Sequence, residues 1–150
     1  MNIPEPILRQ IPVDNTGLGW FKKTCNYVCK PNLFEVMFDW KIVLPDGTEA
    51  MVPQGFRFDG CSSPWFMRPL ISNFGPLLKT ALLHDFGYRN NYLLNWAGGK
   101  IFEGAGQKFF DNLFRSVGKV TTGLSWLTGI AWVALRGFGF IAFNKHRKGD

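Results

Sequence analysis

Apolar and polar residues alternate over residues 34–42, which predicts a β-strand with one buried face. The apolar positions of this segment are Phe34, Val36, Phe38, Trp40 and Ile42. Because successive side chains of a strand point to opposite sides, all five should face the core. A turn signal follows at Pro45-Asp46-Gly47-Thr48, and residues 49–52 can return as a second strand. Residues 33–53 are therefore predicted to form a β-hairpin.

A helical period replaces this alternation in the second half of the chain. An apolar stripe begins after Pro76, whose missing N–H costs nothing in the first turn of a helix. A second helix is predicted from about residue 107 to 117, ending before Gly118, after a glycine-rich stretch at 95–106. Together with a last apolar segment, the predicted helices span about 76–90, 107–117 and 123–143.

These elements predict an α+β fold in a single domain, residues 1–150, with an N-terminal β-hairpin packed on a core of about three helices. A chain of 150 residues with 46% hydrophobic and 19% charged residues suits one domain with a real core. Residues 1–32 are rich in turn formers and are predicted to be irregular. Residues 33–64 form the hairpin and a loop, and residues 76–143 form the helical core.

The last apolar segment, 123–143, is long enough to span a bilayer, which takes roughly 20 apolar residues. It carries Arg136, however, and an Arg near the middle of a membrane costs about 2.5–3.5 kcal/mol on insertion scales. We therefore predict a core or amphipathic helix, in preference to a helix lying on a membrane surface and, least favoured, a transmembrane span.

Charge and aromatic content indicate an anionic partner. The net charge of +6 suits nucleic acid, phospholipid headgroups or acidic protein surfaces. Fifteen Phe and six Trp exceed what a minimal core needs, so some should meet a partner, a lipid or another subunit. Nucleic acid is the least favoured of these because no basic helix or aromatic-basic platform is visible.

The cysteines and the N-terminus bear on location. Three Cys do not supply the four ligands of a structural zinc site, and they indicate reduced thiols in a cytosolic setting. The first residues have neither a basic start nor an apolar run, so no secretory signal peptide is predicted.

The run His84-Asp85-Phe86-Gly87-Tyr88 is the strongest candidate for chemistry. His84 can act as a general base if a carboxylate fixes its tautomer and supports its charged form. Tyr88 lies one turn on and shares the face of His84. Asp85 lies about 100° around the helix axis, where it could bind a hard cation such as calcium. The alternative is that His84 is an ordinary core residue.

Two further acidic residues complete the candidate set. Asp111 lies among phenylalanines on the second helix, where a carboxylate must be solvated or paired. It either pairs with His84 or lies on the wet face of its helix beside Asn112, and the sequence leaves both open. Asp59 follows the predicted hairpin and either closes an ordinary turn, which we favour, or presents its carboxylate to a cation.

Three motifs, taken together, resemble a phage- and prophage-encoded family of unknown function. They are the Gly-Phe-x-x-Asp-x-x-Ser-x-Pro stretch at 55–64, the His-Asp-x-x-Tyr helix at 84–88 and the Asp-x-x-Phe helix at 111–114. The resemblance covers most of the chain. It implies a phage or prophage origin, a location in the host cytoplasm or the virion, and other phage or host proteins as partners.

The heptapeptide at 84–90, His-Asp-Phe-Gly-Tyr-Arg-Asn, resembles the catalytic helix of prokaryotic secreted phospholipase A(2). In that family the His activates a water, the adjacent Asp binds calcium, and a carboxylate from the next long helix orients the His. The resemblance implies these roles for His84, Asp85 and Asp111. No counterpart of the family's Gly-rich calcium loop is evident, and Asp59 with the backbone of 55–63 is the candidate replacement.

Two functions are favoured by these residues, and other chemistry, such as a different divalent metal, amide hydrolysis or peptidoglycan work, is the remaining alternative. The first is a hydrolase of lipid or other esters, with catalytic candidates His84, Asp111 and Tyr88, metal candidates Asp85 and Asp59, and calcium as an optional ion. An anionic membrane surface would suit this enzyme. The second is a non-catalytic virion or host-interaction protein with a structural His/Asp network. The hydrolase requires His84 and Asp111 within hydrogen-bond reach beside an open cleft, and it would be dropped if the two side chains pointed apart or the pair were sealed from solvent.

Overall fold

The computed structural model describes residues 3–11, 19, 33–58 and 77–145, with side chains described as far as residue 137. Within these residues the chain forms seven strands and three helices, which confirms the predicted α+β class. The strands are β1 (Leu8–Ile11), β2 (Leu33–Val36), β3 (Trp40–Val43), β4 (Glu49–Val52), β5 (Arg57–Phe58), β6 (Leu93–Leu94) and β7 (Lys100–Ile101). The helices are α1 (Leu78–Asn90), α2 (Gly106–Thr122) and α3 (Ser125–Lys145).

The strands form two antiparallel sheets, with the orders β1-β2-β5 and β3-β4-β6-β7. Strand β1 lies within residues 1–32, which were predicted to be irregular, so that prediction is wrong for residues 8–11. Its sequence, Leu-Arg-Gln-Ile, has no apolar alternation, and none of its four residues is fully buried. Pairing with β2, rather than a pattern of its own, makes this segment a strand.

The strand predicted over residues 34–42 is divided between the two sheets. Phe34 and Val36 are buried in β2, and Trp40 and Ile42 are buried in β3, but Phe38 between them is 62% exposed. The chain changes sheets here, so the two-residue period does not carry through residues 37–39. The prediction that all five apolar residues share one face is therefore wrong at Phe38.

The predicted turn at residues 45–48 does join two paired strands, β3 and β4. Gly47 has a φ of +86°, in the left-handed region that glycine adopts at no steric cost. The Leu44 N–H donates to the Thr48 carbonyl at 2.8 Å, and the Thr48 N–H donates to Asp46 Oδ1 at 3.0 Å. Val43 then faces Glu49 across the ladder, which fixes the register of the hairpin.

Helix α2 does not end before Gly118 as predicted but continues to Thr122. Gly118 lies inside the helix and faces α3, where an added Cβ would lie 2.7 Å from Thr128 Cγ2. The helix ends at Gly123, whose φ is +66° and whose N–H donates to the Lys119 carbonyl. Gly118 therefore lets α2 and α3 approach closely. Pro76, predicted to begin α1, lies outside the described residues.

Helix α1 joins the sheets to the other helices. It contacts β4, β5 and β6, and α2 packs against α1 and α3. The main core combines both sheets with α1 and α2, and a smaller cluster of Leu77, Phe114 and Ala131 joins α2 to α3. Lys79 of α1 also donates to the Ile3 carbonyl at 2.7 Å, which ties the N-terminal segment to this helix.

In the described part of the chain, no helix is long and apolar enough to cross a membrane.

Replacing Gly87 with Ala should destabilise the protein, although Gly to Ala usually favours a helix. A Cβ at Gly87 would lie 2.3 Å from Phe110 Cδ1, and the Phe110 ring is fully buried. We expect a loss of about 1–3 kcal/mol, the usual cost of overpacking a core. Gly129 of α3 is the matched control, because its added Cβ meets nothing within 4 Å. The free energy of unfolding of Gly129→Ala should rise by up to about 1 kcal/mol. Equal changes for Gly87→Ala and Gly129→Ala in urea unfolding would contradict this explanation.

Candidate functional site

His84 lies in the middle of α1 and is held by aromatic neighbours. Its side chain is 5% exposed. The Tyr88 ring, one turn along the helix, lies 3.9 Å from the imidazole centroid, and the Phe114 ring of α2 meets it edge-on at 5.5 Å. These two rings limit rotation of the imidazole, so its two nitrogens have defined surroundings.

Asp111 of α2 pairs with His84, which decides between the two positions that the sequence left open. The Asp111 side chain is fully buried rather than on a wet face. His84 Nε2 lies 3.1 Å from Asp111 Oδ1, and the Tyr88 hydroxyl donates to the same oxygen. The structure therefore brings together the three side chains predicted as catalytic, His84, Tyr88 and Asp111.

The second oxygen of Asp111 has two partners that the sequence analysis did not identify. Gln107 Nε2 lies 3.4 Å from Asp111 Oδ2, and Arg136 Nη1 of α3 lies 3.3 Å from it. Gln107 precedes Asp111 by four residues, a spacing at which Gln and Asp side chains meet on a helix. In the sequence, Arg136 argues against a membrane span, but an Arg in an apolar segment also needs an anionic partner. All three helices thus contribute to the site.

The ionisation of His84 and Asp111 follows from burial and mutual pairing. Burial disfavours the charged imidazolium, but the carboxylates of Asp111 and Asp85 outweigh it and hold the pKa of His84 above its usual value. Burial alone would raise the pKa of Asp111, yet hydrogen bonds from His84, Tyr88 and Arg136 lower it. Burial and the adjacent Asp111 carboxylate raise the pKa of Tyr88 far above its usual range. Tyr88 therefore stays a hydroxyl donor and Asp111 a carboxylate acceptor.

The other imidazole nitrogen is directed towards Asp85. His84 Nδ1 lies 3.8 Å from Asp85 Oδ1, which is too long for a direct hydrogen bond but close enough for electrostatic attraction. When His84 is neutral, a proton on Nε2 serves the bond to Asp111, and the lone pair remains on Nδ1. The arrangement can therefore accept a proton at Nδ1.

Asp85 is the metal candidate that lies within the described residues, and its side chain is 17% exposed. Among the residues that the structure describes, no group of three or more His, Cys, Asp or Glu could hold a metal ion. Calcium takes six to eight oxygen ligands, so Asp85 would need further oxygens from elsewhere. Asp59, the second metal candidate, lies outside the described residues.

A hydrolase requires a hydrogen bond between His84 and Asp111 and an open cleft beside them, and the structure supports the first more than the second. His84 and Asp111 are within hydrogen-bond reach, as required. The second condition was an open cleft, and His84 retains only 5% exposure while Asp111 retains none. The small exposed fraction of His84 therefore gives the second condition little support and favours the structural network.

The chain matches the family model described as a protein of unknown function (DUF1353) over residues 34–135. No curated protein and no solved structure gives a significant match. The matched segment runs from β2 into α3 and includes His84, Asp85, Tyr88 and Asp111. Since it covers about two thirds of the sequence, the chain belongs to the DUF1353 family of proteins of unknown function.

Proposed function

We propose that this protein hydrolyses carboxylic esters and that His84 is the general base. The observation that carries the proposal is the orientation of the imidazole. Nε2 is hydrogen-bonded to Asp111 at 3.1 Å, and Nδ1 points to the side where Asp85 lies. A buried carboxylate that fixes the tautomer of a His and supports its charged form is the arrangement that general-base catalysis requires.

The reaction uses each group of the site at a defined step. Nδ1 of His84 takes a proton from water, and the oxygen of that water forms a bond to the ester carbonyl carbon. The imidazolium is then stabilised by the Asp111 carboxylate, which Tyr88 and Arg136 also hold in place. The tetrahedral intermediate collapses by breaking the bond to the alcohol oxygen, which receives the proton from Nδ1. The products are a carboxylic acid and an alcohol.

Calcium remains part of this proposal, with Asp85 as the described ligand and Asp59 as the second. A carboxylate beside the proton acceptor suits a hard cation. When bound, the ion would polarise the ester carbonyl and stabilise the oxyanion. The resemblance of residues 84–90 to the phospholipase A(2) helix supports lipid esters as substrates. The motif resemblance over most of the chain supports a phage or prophage origin, with action in the host cytoplasm or the virion.

Burial of the pair supports a second candidate, a non-catalytic virion or host-interaction protein. Asp111 is fully buried and its two oxygens accept from His84, Tyr88, Gln107 and Arg136. Such a satisfied network would join the three helices without any reaction. The two candidates differ in whether His84 variants lose an activity or only stability.

Calcium binding and ester hydrolysis should both depend on Asp85. We expect Asp85→Asn to bind calcium at least about tenfold more weakly, because it removes a charged ligand. Calorimetry measures the binding, and release of acid from micellar phospholipid, with calcium or a chelator, measures the reaction. Asp46→Asn is the control, since Asp46 lies on the exposed hairpin turn.

The two readouts separate the ion from the base. Wild-type protein that binds no calcium, yet hydrolyses ester in chelator, would eliminate calcium and retain His84. Wild-type protein that hydrolyses neither phospholipid nor short-chain ester would contradict the proposed function and favour the structural network.

A further inference from the structure

Helix α3 exposes an apolar stripe that no described part of the chain covers. Trp126, Ile130 and Val133 are 60%, 43% and 63% exposed. Their spacing of four and three residues places them on one side of the helix. The opposite side, with Thr128 and Ala131, is buried against the rest of the protein. Helix α3 is thus packed on one face and exposes three large apolar side chains on the other.

The charge of the protein is concentrated in the same part of the chain. Residues 112–150 contain six Lys or Arg and one acidic residue, Asp150, whereas residues 1–111 contain eleven Lys or Arg and ten Asp or Glu. Five of the six net positive charges therefore belong to the final 39 residues. Arg115 and Lys119 are exposed on α2, and Arg115 lies 5.0 Å from the Trp132 ring of α3. Arg115 therefore lies alongside α3.

We propose that α3 docks on the surface of a lipid bilayer rich in anionic headgroups, with Trp126, Ile130 and Val133 in the boundary between headgroups and acyl chains. An apolar stripe flanked by cations and without acids is the pattern of helices that lie in the plane of a membrane. Trp suits this depth because its ring is apolar and its N–H is polar. Positive charge beside the stripe attracts anionic lipid over about a Debye length.

Charge complementarity favours this occupant over a second copy of the chain. A second copy would present the same stripe and the same excess of cations, with no acidic residue between 112 and 149 to offset them. Anionic headgroups would offset them directly. Docking of this kind does not require hydrolysis at His84, so it holds or fails separately from the proposed function.

The test is sedimentation of the full chain with vesicles of phosphatidylglycerol and phosphatidylcholine, compared with vesicles of phosphatidylcholine alone. We expect binding to the anionic vesicles, with the partition coefficient lowered at least about tenfold by high salt. Val133→Asp should lower it at least about tenfold as well, because it puts an acid into the stripe. The matched control is Ile7→Asp, since Ile7 is 61% exposed but lies before β1.

The controls make each outcome decisive. Both substituted side chains are exposed, so thermal melts of the variants should resemble that of wild type. Absence of wild-type binding to anionic vesicles, or equal binding by Val133→Asp and wild type, would overturn the proposal. Light scattering that shows a wild-type dimer, dissociated by Val133→Asp and indifferent to vesicles, would assign the stripe to a second copy instead.

Discussion

Replacing Asp111 with Ala is expected to lower the free energy of unfolding by about 3–5 kcal/mol, the range found when one partner of a buried charged pair is removed. Asp111 is fully buried, and its oxygens accept hydrogen bonds from α1, α3 and, through Gln107, its own helix α2. Without it, the Tyr88 hydroxyl and Arg136 lose an acceptor. By the size scaling of unfolding, 3 kcal/mol corresponds to a fall of roughly 6–12 °C in the Tm of a domain this long.

Urea unfolding at several pH values measures this loss and its cause. Because the pKa of Asp111 is lowered by folding, its contribution is present above about pH 3.8 and is lost as the pH falls through the folded pKa. The difference between wild type and Asp111→Ala should therefore shrink in acid. Asp46→Ala, which removes an exposed carboxylate bonded to the Thr48 N–H, should lose no more than about 1 kcal/mol. A loss at Asp111 no larger than at Asp46 would mean that the network does not hold the helices together.

Replacing His84 with Gln is expected to lower kcat/KM for ester hydrolysis by about 100-fold to 10,000-fold, the usual contribution of a general base. Gln is the informative substitution because its amide can still donate to Asp111. The hydrogen bond is retained, while the group that accepts a proton from water is removed. The free energy of unfolding of His84→Gln should therefore fall much less than that of Asp111→Ala. Its kcat/KM should fall strongly relative to wild type.

Thr80→Ala is the matched control for this experiment. Thr80 is 1% exposed, lies one turn before His84 on α1, and contacts Thr121 rather than the site. It should lose stability but retain turnover per folded molecule. If His84→Gln and Thr80→Ala lose activity only in proportion to their stability, His84 has no chemical role, and the structural network becomes the better account.

Local sequence patterns predicted an element correctly where its buried residues all face one sheet or lie on one side of one helix. The turn around Gly47 and the end of α1 at Asn90 are of this kind. The division at Phe38 could not be predicted, because it depends on β2 and β3 pairing in different sheets. Strand β1 could not be predicted either, because it depends on pairing with β2. The end of α2 was predicted too early because Gly118 makes a close contact with α3 and does not end the helix.

The sequence predicted those contacts of the site that follow from a single residue's need for a polar partner. A lone Asp among phenylalanines and a His on an apolar helix each need a polar neighbour, so their pairing could be anticipated. The contributions of Gln107 and Arg136 required the packing of three helices, which the sequence does not give. Burial of His84 also depends on tertiary packing, so its near-complete removal from solvent could not be predicted.

The most direct test of the hydrolytic proposal is the titration and tautomer of His84 by ¹⁵N NMR, with His84→Gln used to assign the signals. Folding raises the pKa of His84, so its charged form contributes stability below about pH 6.5, and this is lost as the pH rises through the folded pKa. We expect a midpoint above 6.5 and, beyond it, a neutral ring with its proton on Nε2 and its lone pair on Nδ1. A neutral ring protonated on Nδ1 would leave no base on the side of Asp85 and would contradict the proposal.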